Sequence, residues 1–167
     1  EEFNRLLAAH VVDKLRQEGY AAVAPILSPL FASKKSEKYG YASTWSERHT
    51  AFVAGLGTFG LCDGLITPVG KAMRCGSVVV KAAIRPSERS YKTHTEYCLY
   101  YSDGTCFECA NRCPVGAIGP SGHDKSLCRE YQNSVLSSYI KENYRVEASC
   151  CGLCQTGVPC EAGIPPR

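Results

Sequence analysis

Eleven cysteines stand in a chain of 167 residues, and nine of them follow residue 97. Thiolates bind soft metals, pair as disulfides or act as nucleophiles, so their spacing decides which chemistry is open. The run Cys106-Phe-Glu-Cys109-Ala-Asn-Arg-Cys113-Pro114 reads C-x2-C-x3-C-P, the back half of the bacterial ferredoxin pattern. Two thiolates three positions apart can grip one iron–sulfur cubane through a tight turn, and the cysteine before proline serves a second cluster. Val115-Gly116-Ala117-Ile118 continues the run as ferredoxins do. Cys98 is the expected front thiolate, with seven residues between it and Cys106. Loop-closure entropy grows slowly with length, so this longer loop still closes on a cluster.

The later cysteines are less regular. Cys151-Gly-Leu-Cys154 is C-x2-C, Cys160 follows after five residues, and Cys128 stands alone between Leu127 and Arg129. Eight candidate ligands suffice for two four-iron cubanes. Ferredoxin logic crosses the last cysteine of each run to the other cluster. The expected sets are therefore Cys98, Cys106, Cys109 and Cys160 for one cluster, and Cys113, Cys128, Cys151 and Cys154 for the other. Cys150 adjoins Cys151 and could replace it. The rival is a pair of four-thiolate zinc sites, which use similar C-x2-C grips but do not need the Cys-Pro-x-Gly-Ala-Ile continuation. A disulfide framework fits poorly, because the count is odd, no secretory signal opens the sequence and the first 90 residues read as a core without staples. Cys62 and Cys75 lie far upstream and read as small buried hydrophobes.

Composition narrows the class. Hydrophobic residues make up 44% and charged residues 21%, ordinary globular usage, so global disorder is excluded. The net charge of +3 does not demand a nucleic-acid partner, although it does not forbid one. No apolar run approaches the roughly 18 residues a membrane helix needs; Ser77-Val78-Val79-Val80 is broken by Lys81. Oxygen-sensitive clusters belong in a reducing compartment, which sets the expectation of a cytoplasmic protein.

The elements that must position these groups are legible in part. Phe3, Leu6, Leu7, Val11, Val12 and Leu15 recur as one helical stripe over residues 1–18, stopped at Gly19. That helix has no cap, and the chain is expected to continue upstream. Tyr20 to Ile26 and Ser77 to Ile84 read as strands, and Ser33 to Thr44 as a solvated loop. Thr44-x-x-Glu47 is a capping box for a helix running to Gly55. The segment Gly55-Leu-Gly57-Thr-Phe-Gly60 follows a helix rather than a strand, against a dinucleotide fingerprint. Thr67-Pro68-Val69-Gly70 is a turn, Pro86 to Glu96 a polar linker and Ser126 to Tyr144 a helix. Two domains are expected, residues 1–90 and 91–167.

Taken together, Ser46-Glu47-Arg48-His49, Ala54-Gly-Leu-Gly57-Thr-Phe-Gly60, Leu65-Ile66-Thr67-Pro68, Gly70-Lys-Ala-Met-Arg74 and the tail Cys151-Gly-Leu-Cys154-Gln-Thr-Gly-Val-Pro-Cys160 resemble the cobalamin-dependent reductases, epoxyqueuosine reductase and the reductive dehalogenases. The resemblance spans roughly residues 10 to 165. It implies an α+β chain, a partial nitroreductase-like α/β lobe for a corrinoid followed by a ferredoxin-like two-cluster domain. The corrinoid would lie on Gly55, Leu56, Gly57, Thr58, Phe59 and Gly60. Glycines permit close approach of a flat ring, Leu56 and Phe59 supply apolar area, Thr58 a hydrogen bond, and Arg48, Lys71 and Arg74 reach the cofactor's arms. The carboxylate that donates a proton in epoxyqueuosine reductases has no counterpart in Lys38-Tyr-Gly-Tyr41-Ala-Ser-Thr-Trp; Tyr41 or Tyr39 would donate, as a tyrosine does in the dehalogenases.

The expected function is thus an iron–sulfur oxidoreductase that passes electrons from two [4Fe-4S] clusters to cobalamin. The resemblance implies a ferredoxin- or flavodoxin-type donor and a small-molecule or modified-nucleoside substrate. The alternatives are a ferredoxin-type electron-transfer module without a corrinoid, and a structural zinc protein.

Overall fold

The structure, a computed structural model, describes residues 2–37, 40–148 and 150–167. Tyr39, one of the two expected proton donors, lies outside them. The architecture is α+β, with short helices and four separate two-stranded antiparallel sheets. No described helix is long and apolar enough to cross a membrane. The chain divides into two compact units, Glu1–Leu56 with Met73–Ser90, and Gly57–Ala72 with Tyr91–Arg167.

This division differs from the expected one at residues 57–72, which join the cysteine-rich unit. The reason is burial. Leu61, Cys62 and Ile66 are lost from solvent against Cys98, Cys109, Ala110, Ile118, Val158 and Cys160. An aliphatic side chain gains about 1.5–3 kcal/mol when fully buried, so Leu61 and Ile66 hold their segment to that core.

The first unit begins with α1 (Glu2–Gln17). Ala8 and Val12 are buried with Ala22 and Ala24, and Leu15 packs beside them, whereas Phe3, Leu6, Leu7 and Val11 are exposed. The helix therefore packs along a narrower edge than its apolar stripe. The expected strand at residues 20–26 is only β1 (Ala22–Val23), because Pro25 opens a 3-10 turn, Pro25–Leu27. The stretch read as a loop forms a hairpin, β2 (Ser33–Ser36) against β3 (Gly40–Ser43), with Tyr41 opposite Lys35. Next comes α2 (Glu47–Val53), capped by Ser46 rather than Thr44: Ser46 Oγ accepts from the His49 backbone N–H at 3.5 Å. Gly55 ends it at φ +86°, with its N–H bonded to Phe52 O and that of Leu56 to Ala51 O, both at 3.0 Å.

In the second unit β4 (Thr58–Phe59) pairs with β5 (Leu65–Ile66), Thr58 opposite Ile66. The turn at residues 67–70 is present, closed by hydrogen bonds in both directions between Thr67 and Gly70. Back in the first unit, β6 (Val79–Val80) pairs with β1 and is much shorter than the strand expected from Ser77 to Ile84. The cysteine-rich part adds α3 (Leu99–Ser102), α4 (Glu108–Asn111) and the hairpin of β7 (Ile118–Gly119) with β8 (Gly122–His123). It ends its helices with α5 (Lys125–Tyr131), a wider π-turn Gln132–Leu136 and α6 (Ser137–Tyr144). These last three run on as the helix expected from residue 126 to residue 144.

Candidate metal centres

Four loops carry the clustered cysteines, and the sequence explains how each is held. Cys98 precedes α3, its backbone N–H bonded to Thr95 O at 3.0 Å. Cys109 lies within α4, a single turn, and half-buried Cys106 stands in the loop just before it. Arg112 ties this loop to the last one, donating from Nε to Leu153 O at 2.9 Å. Asp124 caps α5 by accepting from Ser126 N at 2.9 Å and Leu127 N at 3.0 Å, which fixes the helix that presents Cys128. Asp63 braces the start of α5 from the β4–β5 turn, 3.4 Å from His123 Nδ1 and 3.5 Å from Lys125 Nζ.

Two hollows result. Cys98, Cys106, Cys109 and Cys160 line the first, together with Lys71 and Tyr100. Cys113, Cys128, Cys151 and Cys154 line the second, with Ile118, His123 and Tyr131. Their cavity volumes are about 20 and 30 Å³, room for about one or two water molecules each. Cys150 is exposed and lines neither, and none of the eleven cysteines forms a disulfide.

Each hollow gathers four thiols from separate segments of the chain, the ligand type and number that a four-iron cluster takes.

Donors already point at the second quartet. The Ala117 N–H lies 3.2 Å from Cys113 Sγ, and Gln132 Nε2 lies 3.1 Å from Cys128 Sγ. Burial pushes the Cys128 and Cys160 thiols up, and at Cys160 the neighbouring Lys71 opposes it.

Sequence reasoning missed the pair beside the first quartet. Lys71 is only 3% exposed, and its Nζ lies 3.3 Å from Cys62 Sγ. Burial works against its charge, but the sulfurs of Cys62, Cys160 and Cys109 outweigh it and raise the amine above the ordinary lysine value. Cys62 is buried, as a small hydrophobe would be, yet it touches the thiols of both Cys109 and Cys154. A lone lysine just after the turn that follows the apolar Leu65-Ile66 was the available signal.

The expected corrinoid residues divide. Arg48, Gly55, Leu56 and Arg74 belong to the first unit; Gly57, Thr58, Phe59, Gly60 and Lys71 belong to the second. In the second unit the glycines are used internally. A Cβ on Gly57 would stand 2.1 Å from Ile66 O, and one on Gly60 would stand 3.3 Å from Ile66 Cδ1. Thr58 is fully buried, and its Oγ1 accepts from Tyr97 N at 2.9 Å. Lys71 turns inward to sulfur. This stretch does not fit an open floor for a flat macrocycle. In the first unit Arg48, Leu56 and Arg74 are exposed. Beside Arg48, both carboxylate oxygens of Glu47 are buried with no hydrogen-bond partner among the described residues. Such acceptors fit the N–H groups of a corrin's amide arms. Tyr41 lies on β3 in the same unit.

No protein-family model, curated protein or solved structure matches this chain.

Proposed function

We propose that the chain is an iron–sulfur electron-transfer unit, ferredoxin-like in its second unit, with one four-iron cluster in each cysteine-lined hollow. The observation that carries this is the segregation of eight cysteines into two quartets, each drawing its fourth member from a distant loop. Clusters held this way carry one electron at a time.

The chain's own residues do the rest. Arg112 and Asp124 hold the ligand loops, and the apolar contacts of Leu61, Ile118 and Val158 exclude water. Ala117 and Gln132 donate to ligand sulfurs and so tune the second centre. The partner that fits is a one-electron donor of the ferredoxin or flavodoxin class, in a reducing compartment such as the cytoplasm. Anaerobic reconstitution with iron and sulfide tests the reading: a broad absorption band that bleaches with dithionite supports it, and stoichiometric zinc with little iron overturns it.

A second reading, a cobalamin-dependent reductase with a nitroreductase-like first lobe, is favoured by the unpartnered buried carboxylate of Glu47 within Ser46-Glu47-Arg48-His49. There Glu47, Arg48 and Arg74 would hold the corrinoid's arms, and Tyr41 would hold the proton for a small-molecule or modified-nucleoside substrate. A bound corrinoid supplies the low-valent cobalt chemistry, and the protein supplies position and the proton.

A further inference from the structure

We infer that Lys71 is a positioning residue for the electron: its amino group, buried against Cys62 and Cys160, sets the reduction potential of the centre at Cys98, Cys106, Cys109 and Cys160 above that of the centre at Cys113, Cys128, Cys151 and Cys154. The inference rests on the two-cluster reading above.

The argument is an asymmetry between the hollows. Lys71 lines the first, and no lysine or arginine lines the second. Its place is fixed from two sides. Nζ meets Cys62 Sγ at 3.3 Å, and the Lys71 backbone N–H donates to Cys160 O at 3.0 Å. Ala72 N, at 3.1 Å from Glu161 O, and the close packing of Gly70 on Glu161 secure the same loop. Burying a lysine is costly unless a countercharge meets it, and among the surrounding groups the sulfurs are what meets it.

One added electron makes a cluster more negative by one charge. A fixed cation nearby stabilises that reduced form more than the oxidised one, and inside a protein the attraction is several-fold stronger than in water. The second centre has the Ala117 N–H and the Gln132 amide, which are neutral dipoles. Its one titratable basic lining group, His123, faces the Asp63 carboxylate at 3.4 Å. Arg112, whose guanidinium is turned to the Leu153 carbonyl at 2.9 Å, does not line that hollow, whereas Lys71 lines the first.

The pair also sits where the quartets meet. Cys62 contacts the thiols of Cys109, from the first set, and Cys154, from the second, and its sulfur lies 3.7 Å from Cys154 O. No bond forms or breaks.

The test is a redox titration of anaerobic holoprotein at pH 8, followed by electron paramagnetic resonance, for the wild type, Lys71→Met and Lys71→Arg. Iron is assayed in each, and Cys128→Ser assigns the signals by perturbing the second centre alone. The expected result is that Met lowers the reduced-to-oxidised ratio of the first centre tenfold or more at fixed ambient potential. That is 59 mV for a one-electron couple. The second centre moves little, and Arg retains the wild-type value. If Met loses iron, Lys71→Gln, which keeps a donor without the charge, is read by the same criterion. A Met or Gln variant that keeps its iron but leaves both couples in place, or moves both alike, overturns the inference. A wild-type chain that takes up no iron overturns the two-cluster reading itself and this inference with it.

Discussion

Gly57 and Ile66 are packed so closely that a Cβ on the glycine would stand 2.1 Å from the Ile66 carbonyl oxygen. The glycine is there because two strands of one chain meet at that point, Thr58 pairing with Ile66 one residue further on. Overpacking of this kind costs about 1–3 kcal/mol. Gly57→Ala is expected to lower stability by that amount in denaturant unfolding of the holoprotein. Gly70→Ala, whose Cβ would meet Glu161 O at 1.9 Å with φ at +83°, is expected to be at least as severe. Gly76→Ala, with open space around it, is the control and should change little.

The crossing of the ligand sets makes a sharper prediction. Cys109 and Cys113 are four residues apart, yet they line different hollows. Cys113→Ser is expected to damage the same centre as Cys128→Ser, and Cys109→Ser the other. Each variant should lose up to about four of about eight irons. Iron analysis with electron paramagnetic resonance on the three proteins checks this. If Cys109→Ser and Cys113→Ser affect one and the same signal, the crossed assignment is wrong.

What could be read beforehand follows from the range over which each signal acts. The two-residue gaps in Cys106–Cys109 and Cys151–Cys154 are local, set by how a turn presents two sulfurs, so spacing alone marked them as candidate ligand pairs. The helix from residue 126 to residue 144 is likewise a local pattern, whereas the linker expected from Pro86 to Glu96 ends earlier, since Tyr91 is buried in the second unit. The glycines were harder. Gly57 and Gly60 mark a close backbone approach, but sequence does not say whether a ligand or another strand approaches. Lys71 was misjudged for the same reason: its sulfur partners come from residues 62, 109 and 160, and no local pattern joins them. Thr44 and Ser46 compete as caps for one helix, and only the backbone decides between them.

The Glu47 carboxylate tests the second reading. Anaerobic titration with hydroxocobalamin is expected to shift the corrinoid spectrum, and Glu47→Gln to weaken binding about tenfold. Losing a hydrogen bond to a charged group costs about 1.5–3 kcal/mol, and 1.4 kcal/mol is a factor of ten. A wild-type protein that leaves the corrinoid spectrum unchanged removes this reading and leaves the electron-transfer unit standing.

Glu96 gives a pH dependence near the Cys98 loop. Its carboxylate accepts from Lys92 N at 2.7 Å and Thr93 N at 3.3 Å, and these bonds hold its pKa below the ordinary carboxylate value of 4.5. A depressed folded pKa contributes stability that is present above the unfolded value and lost as pH falls through the folded one. The turn at residues 92–96 should loosen in that acid window, and Glu96→Gln should flatten the dependence. Backbone amide exchange at Lys92 and Thr93 is the measurement; protection unchanged through the window would contradict it.

The most direct measurement of the central claim is the iron and acid-labile sulfide content of anaerobically reconstituted protein, taken with its Mössbauer spectrum. The two quartets predict about eight iron and eight sulfide per chain, all in four-iron cubanes. About one or two metal ions per chain with no labile sulfide, or zinc in place of iron, would contradict it.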